Sequence, residues 1–366
     1  MGKPDDIKFM KRAIDLAKKG YGLVNPNPLV GAVIVKNAKI IGEGYHEYFG
    51  GPHAEINALK NIKSAKGTTL YVTLEPCNHF GKTPPCTDRI INEGFSRVVI
   101  GIRDPNPVVK GKGIETLRKE GILAEPGLLK KEITKLNEVY IKYITTGLPF
   151  CVMKTAMTLD GKISTVSGDS KWISNEKSRQ FVHELRHRYS AIMVGVNTII
   201  KDNPELTDRS EHPTRKNPIR IVVDSKGRTP ANAKVFNVDK AKTIFAVTPG
   251  ASHKFINLVH QKGAETIVCP EKNNKVDLTF LIKKLGEKGI DSILIEGGSA
   301  LNFSAIEEGI VDKVYSFISP KIVGGASAKS PVGGNGFDTL NQAVNLSIES
   351  ITRYDEDIMV EAYIKH

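Results

Sequence analysis

At 366 residues, 40% hydrophobic and 25% charged, the chain has an ordinary globular composition and, at about 100–200 residues per domain, the length of two domains. Its net charge of +12 admits an anionic partner, but Lys and Arg form no block of about five or six and do not interleave with aromatics, so a phosphorylated small molecule fits at least as well as a polynucleotide. No run approaches roughly 18 apolar residues and the N-terminal stretch is not apolar, so neither export nor membrane insertion is indicated and a cytoplasmic location is expected.

In chain order, Ile7, Met10, Ile14 and Leu16-Ala17 recur at helical spacing before Gly20, which predicts a helix over 5–19. Strands follow over 29–35 and 39–44, joined at Lys36-Asn37-Ala38. A helix then begins at or just after Pro52 and carries His53, Glu55, Ile56 and Leu59. A buried strand over 68–74 delivers Glu75-Pro76-Cys77 to the start of another helix. Pro85 before Cys86 suits the beginning of that helix or of one directly after the loop. A strand over 97–102 and a helix over 111–120 complete a three-layer α/β domain with its site at strand ends.

A helical segment over 131–145 leads into Gly147-Leu148-Pro149, which reads as a linker and divides the chain into domains at 1–146 and 147–366. The second half alternates again. Strands are expected over 150–157, 191–195, 219–224, 243–247, 265–269, 292–296, 313–319, 345–352 and 357–364. Helices are expected over 175–187, 252–262, 278–288 and 300–307. No internal repeat relates the halves. Of the four cysteines, Cys151 and Cys269 lie in strand-like apolar runs and are expected to be inert core residues.

The other two belong to a pattern with chemistry in it. His53-Ala54-Glu55, then Pro76-Cys77, then Cys86 supply three metal ligands, His53, Cys77 and Cys86, with Glu55 as a carboxylate that does not ligate. Three ligands leave a tetrahedral zinc one open position, where a water becomes acidic enough to act as a nucleophile and Glu55 can carry its protons. A structural zinc would take a fourth protein ligand. The zinc deaminases of nucleic acids place two residues between their cysteines, whereas eight stand here, 78–85. In the second half, polar and glycine residues gather at strand ends, where open α/β sheets bind ligands. Glu296-Gly297-Gly298-Ser299 reads as a strand turning into a helix whose free N–H groups can hold a phosphate. A strict G-x-G-x-x-G fingerprint is absent, so a Rossmann dinucleotide fold is not supported.

These residues carry a family resemblance over the whole chain. Asn25-Pro26-Asn27-Pro28-Leu29-Val30-Gly31, His53-Ala54-Glu55 and Glu75-Pro76-Cys77 with Cys86 resemble the deaminase motifs of the bifunctional riboflavin-biosynthesis deaminase/reductases. Lys154-Thr155-Ala156, Leu159-Asp160-Gly161, Ser170-Lys171-Trp172-Ile173, the stretch 195–204, Leu206, Arg209 and Ile295-Glu296-Gly297-Gly298 are similar to that family's reductase motifs. The resemblance implies a cytidine-deaminase-like α/β domain followed by a dihydrofolate-reductase-like α/β domain that uses NADPH. It implies deamination of 2,5-diamino-6-(5-phosphoribosylamino)pyrimidin-4(3H)-one, then reduction of the ribosyl group of 5-amino-6-(5-phosphoribosylamino)uracil to ribityl.

In the first domain, polar residues on loops near the expected site must read the substrate, Asn27, His46 and Lys82 and with them Asp104 and Asn106; the roles of second-domain residues are those the resemblance implies. In the second, Ala156, Trp172, Thr198, Asp202, Ser225, Gly298, Ser299, Ala300 and Leu301 would contact NADPH. Ser170, Arg186, Leu206, Arg209 and Glu296 would hold the substrate, the two arginines being suited to a phosphate as bidentate donors. A homo-oligomer formed through the second domain is also implied, with neither nucleic acid nor membrane as partner. Two other readings stand beside this one: a tRNA-type base deaminase with an accessory binding domain, and a zinc-stabilised binding protein in which Glu55 is incidental.

Overall fold

A computed structural model describes residues 3–78, 84–107 and 109–365. The chain folds as two compact units, Met1–Gly147 and Leu148–His366.

The first unit runs α1 (Lys3–Lys18), β1 (Gly31–Lys36), β2 (Lys39–Tyr45), α2 (Ala54–Leu59), β3 (Thr69–Leu74), α3 (Cys86–Asn92), β4 (Arg97–Ile102), α4 (Lys112–Lys119), β5 (Leu123–Pro126), α5 (Lys130–Leu136) and α6 (Glu138–Thr146). Its five-stranded sheet has the order β2-β1-β3-β4-β5, antiparallel from β2 to β3 and parallel from β3 to β5. Strand alternation divides the core in two. Val33, Val35, Tyr71 and Val99 pack on one face with Phe9, Met10, Ala13 and Ile14 of α1 and with Ile133 and Tyr140. Ala32, Ile34, Leu70, Val72, Val98 and Ile100 pack on the other with residues of α2, α3 and α4. The helices approach closely because glycine lines the strands: a Cβ on Gly31 would stand 1.9 Å from the Ala13 carbonyl oxygen of α1. On Gly44 it would stand 2.3 Å from the Ala58 nitrogen of α2.

Three details differ from the sequence reading. Cys77 lies in an extended loop, and the helix begins at Cys86. The short edge strand β5 was not anticipated; two of its four side chains are exposed, so its apolar pattern is weak. The helical segment after residue 130 breaks at Asn137, whose side chain turns away to bond both the Leu29 N–H (2.8 Å) and the Leu29 carbonyl (3.0 Å).

The second unit runs β6 (Phe150–Thr158), α7 (Glu176–Arg188), β7 (Ala191–Gly195), α8 (Val196–Asp202), β8 (Ile219–Val223), β9 (Thr243–Val247), α9 (His253–Gln261), β10 (Glu265–Val268), β11 (Glu271–Lys272), β12 (Lys275–Val276), α10 (Leu278–Glu287), β13 (Ser292–Ile295), α11 (Ser299–Glu307), β14 (Lys313–Ser319), β15 (Leu346–Tyr354) and β16 (Asp357–Ile364). Nine strands form one sheet in the order β10-β9-β8-β7-β13-β6-β14-β16-β15. It is parallel from β10 to β14, and β16 and β15 continue it antiparallel. Asn175, Ser252 and Asp277 cap α7, α9 and α10, each accepting a first-turn N–H on its side chain. The short α8 and the two-stranded pair β11–β12 stand outside the elements expected from the sequence. Cys151 and Cys269 are buried, as expected. Among the described residues no helix is long and apolar enough to cross a membrane.

Candidate active sites

In the first unit, His53 occupies the position before α2 with extended backbone (φ −69°, ψ 161°), so its imidazole projects off the helix start while Glu55 lies within the first turn. The Cys77 loop leaves β3, and Cys86 opens α3. One nitrogen of His53 and both sulfurs lie within 4.8 Å of one another, and the histidine atom that faces them is Nδ1: 3.1 Å from Cys86 Sγ and 3.5 Å from Cys77 Sγ. The Cys86 backbone N–H adds a 3.3 Å contact to Cys77 Sγ. The Cys86 thiol holds the Cys77 sulfur as a thiolate, its pKa down at about 4, while Cys86 itself is pushed up by the same neighbour. His53, bonded to Cys77, rises to about 9. One nitrogen and two sulfurs converging in this way fit a zinc ion, which takes the place of the protons these groups share. Glu55 is buried, and burial raises its pKa, which suits a group that must alternately hold and release a proton.

A residue without a role in the sequence reading sets this loop. Glu75 is buried, and its carboxylate accepts N–H bonds from Asp104 (3.1 Å), Gly111 (3.0 Å) and Ile114 (3.1 Å), tying the end of β3 to the start of α4. A carboxylate at the end of an apolar strand, next to a ligand cysteine, was the available signal. Asn78 and Thr87 complete the fastening: Thr87 Oγ1 donates to Asn78 Oδ1 (2.8 Å), and Asn78 Nδ2 donates to Thr116 Oγ1 (3.0 Å).

Asn27 and His46 are brought together beside the cluster. Asn27 Nδ2 lies 3.1 Å from His46 Nε2, His46 Nδ1 lies 3.0 Å from the Pro52 carbonyl, and the His46 and His53 rings meet edge-on at 5.8 Å. Burial keeps His46 neutral, so Nδ1 donates to Pro52 and Nε2 accepts from Asn27. Asp104 is engaged within the fold, its carboxylate accepting from Tyr140 OH (2.9 Å) and the Asn106 N–H (2.9 Å). Lys82 lies outside the described residues.

In the second unit, a cleft of about 1640 Å³ opens at the carboxyl ends of β6, β7, β8 and β13. Every second-domain residue named from the sequence lines it: Ala156, Ser170, Trp172, Arg186, Thr198, Asp202, Leu206, Arg209, Ser225, Glu296 and Gly298 through Leu301. Ten Lys and Arg side chains line it against three carboxylates, a balance that fits ligands carrying several phosphates. No side chain caps α11 at Gly298, so its first N–H groups stay available, and Thr198 of α8 faces the same turn. Trp172 is 64% exposed rather than core, with the Arg179 guanidinium 4.7 Å from its ring centroid.

Arg186 is already engaged. Its Nε and Nη2 reach Glu296 at 2.6 and 2.8 Å, and Nη1 donates to the Thr207 carbonyl at 3.3 Å, so the fork expected to hold a phosphate grips a carboxylate instead. Both side chains are nearly buried, where unpaired charge is costly. Burial opposes charge on Glu296, yet Arg186 holds its carboxyl below the usual range. Arg209 is exposed in the cleft, and its guanidinium makes no hydrogen bond or ion pair with a described residue. Lys154, absent from the expected set, also lines the cleft, its pKa lowered by burial.

Comparison with known proteins finds a family match in each half of the chain. Residues 3–102 match the cytidine and deoxycytidylate deaminase zinc-binding region, and residues 149–360 match the RibD C-terminal domain. A zinc-binding deaminase domain is therefore followed by a reductase domain in one chain. The chain is 50% identical over 357 residues to riboflavin biosynthesis protein RibD of Actinobacillus pleuropneumoniae, covering 97% of this chain and 94% of the relative. It is 44% identical to the RibD of Aquifex aeolicus, covering 97% of each. It superposes on a diaminohydroxyphosphoribosylaminopyrimidine deaminase/5-amino-6-(5-phosphoribosylamino)uracil reductase from Thermotoga maritima with a TM-score of 0.87 at 40% identity, over 99% of each chain. With the RibD of Acinetobacter baumannii the TM-score is 0.88 at 34% identity, again over 99% of each. The chain belongs to the RibD family, the bifunctional deaminase/reductases of riboflavin biosynthesis.

Proposed function

We propose that the first unit hydrolytically deaminates 2,5-diamino-6-(5-phosphoribosylamino)pyrimidin-4(3H)-one, and that the second reduces the ribosyl group of the resulting aminouracil phosphate with NADPH. The observation that carries the proposal is the convergence of His53 Nδ1, Cys77 Sγ and Cys86 Sγ on one point beside the buried Glu55.

His53, Cys77 and Cys86 would hold zinc, which when bound supplies an open coordination position and acidifies a water there. Glu55 takes a proton from the attacking water and returns protons to the ring nitrogen and the departing amino group. Carbon–nitrogen cleavage is thereby matched by carbon–oxygen bond formation, and ammonia leaves. Asn27, whose amide N–H faces His46, would read the pyrimidine, a reading its position beside the cluster supports; Lys82, in the insert between the cysteines, would meet the ribose phosphate.

In the cleft, NADPH when bound supplies a hydride to the ribosyl C1 carbon. Ala156, Trp172, Thr198, Asp202, Ser225 and the α11 start hold the cofactor; Ser170, Leu206 and Glu296 orient the pyrimidine and sugar. Arg209 is the arginine left to meet the substrate phosphate, while Arg186 acts by fixing Glu296.

The enzyme is proposed to form a homo-oligomer through its second unit. Edge strand β15 supports this: almost all its residues are exposed, Ile348 and Ile351 among them at 62% and 64%. Four free cysteines suit a reducing cytoplasm.

Zinc content measured together with ammonia release from the diaminopyrimidine phosphate tests the first half. Near-stoichiometric zinc with ammonia release is expected, and zinc-loaded protein that releases none would overturn it. Oxidation of NADPH on addition of the deaminated product tests the second, and absorbance that does not change would count against it.

A further inference from the structure

Helix α7 turns one face toward the loop that carries Arg209, and three side chains on that face, spaced i, i+3 and i+4, each take hold of a successive loop residue. Arg186 Nη1 donates to the Thr207 carbonyl at 3.3 Å. His187 Nδ1 stands 3.1 Å from Asp208 Oδ2, and Asp208 in turn accepts the Ser210 N–H on Oδ1 at 2.7 Å. The Arg209 N–H donates to His183 Nδ1 at 3.2 Å. The loop enters through Leu206, buried and left-handed at φ 55°, a conformation that non-glycine residues hold only under constraint from their surroundings. Thus the backbone around Arg209 is fixed on one side while its side chain stands exposed in the cleft.

We infer that His183 is a positioning residue of the reductase half: its Nδ1 holds the Arg209 backbone so that the guanidinium presents to the substrate phosphate. The inference rests on the reading of Arg209 as the phosphate-binding arginine. The bond requires an unprotonated Nδ1 with the proton on Nε2. Burial together with the charges of Arg186 and Arg209 secures this, lowering the His183 pKa to about 4 against the opposing carboxylates of Glu296 and Asp208. Asn in place of His183 keeps an acceptor near the Nδ1 position, Phe keeps the ring without one, and Gln places its acceptor where Nε2 was.

Steady-state reductase kinetics of the full-length protein, varying the phosphorylated aminouracil, test this with His183→Phe, His183→Asn, His183→Gln, Arg209→Ala and the double variant His183→Phe/Arg209→Ala. His183→Phe is expected to raise KM for the aminouracil phosphate about tenfold, with kcat and the KM for NADPH within about twofold. His183→Asn should recover most of the loss and His183→Gln should not. The double variant should be no worse than Arg209→Ala alone, since both changes remove one function. If His183→Phe fails to fold, the contrast between the Asn and Gln variants decides the matter. A raised KM in Arg209→Ala with none in His183→Phe, equal behaviour of Asn and Gln, or additive effects in the double variant would each overturn the inference alone. An unchanged KM in Arg209→Ala would overturn the phosphate reading, and the inference with it.

Discussion

In the proposed deaminase site two jobs fall to residues two apart at the start of α2: His53 would hold the zinc, and Glu55 would move protons. Replacing Glu55 with Ala should therefore leave zinc content and fold intact while lowering the deamination rate about 10²–10⁴-fold, read as ammonia release beside metal analysis of the same sample. Elsewhere a buried carboxylate has a purely structural task. Asp6 accepts two bonds from Arg97 (2.8 and 2.9 Å) and one from Tyr71 OH (2.5 Å), fastening α1 to β3 and β4. The Arg97 guanidinium, against burial and with help from Tyr71, holds the Asp6 carboxyl below its ordinary range. Because its folded pKa is lowered, Asp6 stabilises the fold above its unfolded pKa of about 3.9, and the contribution is lost as pH falls through the folded value. Asp6→Asn should cost about 1–3 kcal/mol near neutral pH, and its gap from the wild type should close in acid. Denaturant melts at several pH values would show a pH-independent gap if this is wrong.

At the scale of elements, close packing rather than propensity sets the geometry of the first site. Gly31→Ala would force α1 away from β1, since the new methyl has no room before the Ala13 carbonyl. A loss of about 1–3 kcal/mol is expected, measured by thermal unfolding. A melting temperature equal to wild type would show that α1 shifts freely. How far these elements were readable depended on how local their causes are. The apolar spacing of Ile7, Met10, Ile14 and Leu16-Ala17 is internal to α1, so that helix is plain in the sequence. The break at Asn137 is not, because its cause is Leu29, more than a hundred residues away. Helix α8 is only seven residues long, too short for its two buried positions to show a period. The same limit governs the sites. The ligand set His53, Cys77 and Cys86 is written in two short motifs, whereas the Arg186–Glu296 pair joins positions 110 apart and no motif contains both. The triple N–H capture by Glu75 joins β3 to a helix nearly forty residues on, and no motif contains both ends of it either.

For the molecule as a whole, the proposed homo-oligomer would form through the exposed edge strand β15. Ile348→Lys with Ile351→Lys should shift the protein toward monomer in sedimentation experiments. An unchanged sedimentation profile would count against association through β15. A last consequence concerns time. Strand β13 reaches the sheet after five earlier strands of its sheet have been made, yet it lies between β6 and β7, pairing Ile293 with both Cys151 and Ala191. The middle of the sheet is thus closed by nearly its latest parallel strand, and Glu296 arrives with it. Pairings this distant in sequence form slowly. During synthesis the earlier strands must wait, with their central gap unfilled, until residue 295 has left the ribosome; reductase competence should therefore emerge late and all at once, well after the deaminase half has its full sheet.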